Sequence, residues 1–142
     1  MTSPLEQEAR VDHVELRIPC RAEWVALARL AASAVANRLK LTIEEIEDVK
    51  LAVAEACTAV IQHENHGEFI AITAEAQPGM LRLHVRDEGR HEPRPHPPSL
   101  DGDEARIAGL GVFIIRTLMD DVSYETHPER GTNLVLIKRL HG

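Results

Sequence analysis

Residues 69–89 read FIAITAEAQPGMLRLHVRDEG, two runs rich in strand-forming side chains on either side of Gln77-Pro78-Gly79. Pro-Gly supplies a tight turn, so the two runs predict an antiparallel hairpin. The second arm alternates strictly: Leu81, Leu83 and Val85 point one way, and Arg82, His84 and Arg86 the other. By the same period of two, Asp87 falls on the apolar side, which places a carboxylate under cover. A hairpin does not stand alone in water, so further strands and a covering layer must come from the flanking sequence.

Upstream, Thr42 is followed three residues later by Glu45, a capping box that starts a helix. Ile46, Val49, Val53, Ala56 and Val60 form its core stripe at steps of three and four, up to about His63, and Gly67 ends it. A second face, offset from that stripe, carries Asp48, Ala52, Glu55, Ala59 and Gln62. Residues 21–39 form an earlier Ala-rich helix, with Trp24, Leu27, Ala31 and Ala34 or Val35 as its expected buried stripe. Before it, Val14, Leu16 and Ile18 alternate in residues 11–19, and Pro19 closes that strand as an edge or terminal residue would.

Downstream, residues 88–107 (EGRHEPRPHPPSLDGDEARI) hold four of the eight prolines between positions 93 and 98. The stretch is read as a lid loop over about 88–108, since a loop this long in a small domain is usually a binding or active-site loop. Gly109-Leu110-Gly111 is expected to open a short apolar helix, and VSYET and TNLVLIKRL, separated by a turn at 127–131, are the last two strands. The order of strand, helix, helix, two strands, lid, helix and two strands predicts an α+β fold. It is a two-layer sandwich in which a mostly antiparallel or mixed sheet carries its helices on one face. Residues 1–142 are expected to form a single domain.

The chain carries 16 Lys and Arg against 23 Asp and Glu, a net charge of −7. That balance argues against a binder of the nucleic-acid backbone, which needs a basic face. Four aromatic residues, Trp24, Phe69, Phe113 and Tyr124, are too few for base stacking. No apolar run approaches the ~20 residues of a membrane span. Two cysteines, Cys20 and Cys57, and a polar beginning point to a cytoplasmic protein.

EACTAVIQH (55–63), VRDEG (85–89), GLGVFIIRTLMDDVSYE (109–125) and GTNLVLIKRL (131–140), in this order, resemble the bacterial anti-sigma factor serine kinases. These belong to the GHKL superfamily of histidine kinase-like ATPases. The resemblance implies ATP binding, capture of a sigma factor and phosphorylation of a serine on an anti-sigma antagonist of the STAS type. It leaves room for a homodimer and for a switch kinase acting on a stressosome-like scaffold. It also implies that Glu55 is the general base and that Asp87 accepts a hydrogen bond from the adenine amino group. Gly89 would let backbone approach the base, and Thr132 would lie near Asp87. Gly109, Leu110 and Gly111 would receive phosphate on amides at a helix N-terminus.

Two departures from the family pattern stand out. The position of the family's Asn, which helps hold magnesium, is Ala59 here, and a methyl group cannot ligate a hard cation. The second glycine after Asp87 is also missing, since Gly89 is followed by Arg90 and His91. Magnesium is still expected from the resemblance, with Gln62, Thr58 or the phosphates themselves compensating for the missing ligand in an active kinase. The alternative is a binding module that keeps the fold and regulates partners without phosphoryl transfer. His63, Glu64 and His66 lack the HExxH spacing of a zinc helix, and His91 and His96 sit in the lid without a ligand pattern. Cys57 is read as a buried packing residue, and Asp120-Asp121 as the end of the third helix.

Overall fold

The computed structural model describes residues 11–63, 66–89, 102–127 and 131–140. The elements are β1 (Asp12–Pro19), a 3₁₀ turn (Ala22–Trp24), α1 (Val25–Ala36), α2 (Ile43–Gln62), β2 (Phe69–Gln77), β3 (Met80–Glu88), α3 (Gly102–Leu118), β4 (Asp121–His127) and β5 (Gly131–Arg139). The five strands form one sheet in the order β1-β2-β3-β5-β4, and every neighbouring pair is antiparallel. The expected α+β sandwich is present, with an antiparallel sheet rather than a mixed one.

The hairpin is built as its residues dictate. Gln77 pairs with Met80, leaving Pro78 and Gly79 as the turn, and Gly79 has φ +80°. Pro at the first central position and a glycine of positive φ at the second make a type II turn. Pro19 ends β1, an edge strand, where its missing N–H costs no ladder bond. Strand parity then assigns the core. Ile18, Ile70, Ile72, Leu81, Leu83, Val85, Leu134 and Leu136 are buried on one face of the sheet, against Ala28, Ala32, Val35, Val49, Val53, Ala56, Val60 and Ile115 of the helices.

The capping box of α2 forms in full. Glu45 N–H donates to Thr42 Oγ1 at 3.1 Å, and Thr42 N–H donates to Glu45 Oε1 at 2.9 Å. Two expectations are corrected. The buried residues of α1 are Ala28, Ala32, Val35 and Ala36, while Trp24 and Leu27 are exposed and Ala34 faces water. Small side chains bring α1 close to the sheet and α2, and the larger ones turn outward. The third helix starts at Gly102, not at Gly111. Of the lid expected over 88–108, residues 102–108 are therefore helix, and residues 90–101, including His91 and His96, lie outside the described residues. Glu64 lies outside them too.

Candidate functional site

The face of α2 that turns away from the sheet carries the first group of residues. Glu55, Thr58, Ala59 and Gln62 meet Leu110, Gly111 and Ile114 of α3 around a cavity of about 200 Å³. A glycine at 111 lets the backbone of α3 form part of the wall: Glu55 Oε2 stands 3.5 Å from where a Cβ on Gly111 would be. Thr58 Oγ1 donates to the carbonyl of Ala54 at 2.9 Å, so its lone pairs remain able to accept. Ala59 presents only a methyl group.

Gly109 and Gly111 lie inside α3, so their amides are not among the first four N–H groups that a helix leaves unbonded. They do not form a helix N-terminus, as the sequence had suggested. Gly111 contributes a wall without a side chain, while Gly109 is exposed, has nothing within 4 Å of a Cβ built on it, and is not among the residues that line the cavity.

Asp87 anchors the second group, at the end of β3. Its Oδ1 accepts the Gly67 N–H at 2.6 Å, which ties the segment entering β2 to the end of the neighbouring strand. Gly131, with φ +78°, lies against the other side of the carboxylate, and a Cβ there would overlap Asp87 Oδ2. A Cβ on Gly67 would stand 2.8 Å from Oδ1 and 2.6 Å from the Glu88 carbonyl oxygen. The Asp87 carboxylate is thus cradled between two glycines. Gly89 has φ +122° and approaches Glu68 N so closely that a Cβ would lie 2.8 Å from it.

Thr132 is buried, 2% exposed, and its hydroxyl is 3.4 Å from that of Thr126 across the β4-β5 pair. Extending the Arg86-Asn133 register by one residue sets Thr132 opposite Asp87, on the helix-covered face. α2 packs on β3 and β5, the strands that carry Asp87 and Thr132. Burial first, and then the charge of Asp87, raise the Cys20 thiol to about 11. Cys57, between Glu55 and Ala59, is pushed up to about 12 by burial and then by Cys20. Thiols held this far up are protonated near neutral pH and are not nucleophiles.

The sequence marked Gly67 only as the stop of a helix and did not single out Gly131 or Lys138. The two glycines act through a contact between distant segments, which no local pattern announces. Lys138 did leave a signal: it occupies the inward parity of Thr132, Leu134 and Leu136. Among the described residues no group of three or more His, Cys, Asp and Glu is placed to hold a metal ion. His66 Nδ1 instead donates to the Gly67 carbonyl at 2.9 Å. The oxygen donors around the cavity are the Glu55 carboxylate, the Thr58 hydroxyl and the Gln62 carboxamide. Magnesium is commonly held by one or two protein oxygens with water and phosphate completing its shell. The donor set fits an ion that arrives with a phosphate chain, and does not fit one held by protein alone.

Comparison with known proteins agrees with this architecture. Residues 18–138 match the histidine kinase-like ATPase domain. The chain is 35% identical to the serine-protein kinase RsbW of Bacillus velezensis, over 93% of this chain and 88% of that protein. It is also 35% identical to the serine-protein kinase RsbW of Bacillus subtilis, over 92% and 88%. With the serine-protein kinase RsbW of Bacillus cereus the identity is 38%, over 80% and 77%.

Proposed function

The chain belongs to the histidine kinase-like ATPase domain family, and on that premise we propose that it is an anti-sigma regulatory protein that binds ATP and phosphorylates a serine of a protein antagonist. Glu55, set into the cleft between α2 and α3 and facing the bare backbone at Gly111, is the observation that carries this reading. The level of identity to serine-protein kinases over most of the chain supports it.

Glu55 takes the proton of the serine hydroxyl as that oxygen bonds to the γ-phosphorus, and the bridging oxygen leaves with ADP. Positioning and charge neutralisation supply most of the rate in such transfers. Asp87 accepts the amino group of adenine, and the Gly67 N–H holds the carboxylate in place for it. Gly89 admits the base close to backbone, and Thr132 lies beside Asp87. Leu110 and Gly111 wall the phosphate end. Thr58 and Gln62 are the side-chain oxygens on hand for magnesium, which neutralises phosphate charge when bound. The partners are a sigma factor, held away from polymerase, and an antagonist of the STAS type that is the phosphoryl acceptor.

Ala59 favours one second reading, a module that binds nucleotide and partners without transfer. Labelled ATP, magnesium and a purified antagonist separate the two. The kinase reading expects label on serine, with transfer reduced by about 10²–10⁴-fold in Glu55→Gln, the range for losing a general base. Nucleotide binding without any transfer by the unaltered protein establishes the module instead.

A further inference from the structure

Lys138 continues the buried parity of β5 and is only 9% exposed. Its ammonium donates to the carbonyl of Leu118, the last residue of α3, at 2.7 Å. It also stands 3.9 Å from Asp48 Oδ2 on α2. Burying an ammonium costs free energy unless its charge is met, and an apolar side chain of similar size would fill the position without that cost. Packing alone therefore does not call for lysine. What an ammonium adds is direction: a cation is favoured where a helix ends in exposed carbonyls, and it also draws on the carboxylate of a second helix.

We infer that Lys138 is a positioning residue that fixes the register of α3 along α2, and with it the width of the cleft in front of Glu55. Leu118 lies 118 − 111 = 7 residues beyond Gly111, and Asp48 lies 55 − 48 = 7 residues before Glu55. At ~1.5 Å per residue both intervals are about 10 Å of helix. Gly111 faces Glu55 at one end of this contact, and Leu118 is joined to Asp48 through Lys138 at the other. The helices therefore run antiparallel between a pin and a cleft. Among the described residues the other buried side chains of α3 and of the residue after it are apolar, Val112, Ile115 and Met119. The Asp120 N–H donates to the Ile137 carbonyl at 2.8 Å and its carboxylate accepts the Arg139 N–H at 2.6 Å, bonds that tie the end of α3 to β5 and not to α2. Apolar contact is non-directional and does not by itself choose between neighbouring registers.

The consequence for nucleotide binding rests on the kinase reading, whereas the register itself does not, so the test has two arms. Spin labels are placed on the full chain at the exposed positions Leu51→Cys and Phe113→Cys, one on each helix, while Cys20 and Cys57 are buried and resist labelling. Electron–electron distance measurement is expected to give one narrow distribution with Lys138. A shifted or broadened one is expected for Lys138→Met, with the narrow one restored in Lys138→Arg. An unchanged distribution in Lys138→Met overturns the pin, whatever the protein binds. In the second arm, calorimetry without labels at a temperature where every variant is folded should show ATP affinity about tenfold weaker in Lys138→Met, as expected if the competent register falls to about a tenth of the population. Unchanged affinity beside a shifted distance overturns the positioning role. A protein that binds no ATP even with Lys138 overturns the kinase reading, while the distances still decide the pin. Should Lys138→Met fail to fold, Asp48→Asn takes its place, since that side chain is 42% exposed and its loss is tolerable. A smaller shift in the same direction is expected, and no shift overturns the pin.

Discussion

At the scale of single residues, the Asp87 carboxylate shows how much depends on what is missing around it. Gly131 has a positive φ, and any Cβ there runs into the carboxylate, so Gly131→Ala meets backbone strain and a clash together. The expected result is a loss of about 1–3 kcal/mol in urea unfolding, the range for strain at a special φ, together with weaker nucleotide binding because Asp87 is displaced. The inward aim of Asp87 was legible, because a period of two extends from Leu81 to position 87. The cradle was not, because Gly67 and Gly131 reach it from segments remote in sequence. Lys138 was legible by the same parity, but the pattern of apolar residues hid it. The cysteines make a separate prediction. Both thiols are raised in the fold above their ordinary value of 9.0, to about 11 and about 12. The unfolded chain therefore releases these protons at lower pH than the native one. The stability this provides is complete below pH 9.0 and is lost as pH rises toward the folded values. Urea midpoints should fall between pH 9 and 11, and the fall should be shallower in Cys20→Ala; parallel curves for the two proteins would assign the loss to other groups.

Among the elements, α1 is where periodicity and structure part. A stripe through Trp24, Leu27 and Ala31 satisfies helical spacing as well as the stripe through Ala28, Ala32 and Val35 does, and size favours the first. The fold takes the second, because alanines let α1 approach α2 and the sheet closely, and Leu30 is left 64% exposed. Leu30→Glu should therefore change stability by no more than about 0.5 kcal/mol, as for a surface position. Ala32→Leu should cost about 1–3 kcal/mol through overpacking. Thermal unfolding of the two variants checks this, and the opposite ranking would restore the stripe that size suggests. The start of α3 was hidden for a different reason. Four prolines between 93 and 98 gave the whole segment the composition of a loop, yet Pro98 is the last of them and nothing after it forbids a helix from Gly102. The hairpin, the edge position of Pro19 and the cap of α2 were legible because each rests on interactions between residues close in sequence. Thr42→Ala should accordingly cost about 1 kcal/mol, with Thr42→Ser close to neutral.

On the scale of the whole molecule, the candidate site is two groups, one in the cleft between α2 and α3 and one at the end of β3 and the start of β5, and the proposed function requires a nucleotide to join them. The 200 Å³ cavity beside Glu55 is lined by none of the residues around Asp87. It is below the ~300–1,000 Å³ of usual ligand pockets, so it suits the phosphate end of a nucleotide rather than the whole. A ligand that spans both groups ties α2 and α3 to β3 and β5, and no such arrangement exists in the unfolded chain. Binding must then raise stability, by about 2.7 kcal/mol at one hundred times the dissociation constant. For a domain near this size about 1 kcal/mol moves the melting temperature by roughly 2–4 °C, so saturating ATP should raise it by several degrees. The variants divide that shift. Asp87→Asn should erase a preference for ATP over GTP, because it alters the acceptor proposed for the amino group. Glu55→Gln should keep most of the shift, because the role proposed for that carboxylate is in transfer rather than in holding the base. Ala59→Asn should enlarge the part of the shift that needs magnesium, since it adds an oxygen donor at the cavity wall. An ATP shift that survives Asp87→Asn with its base preference intact would mean that the base lies elsewhere and that the two groups are not one site.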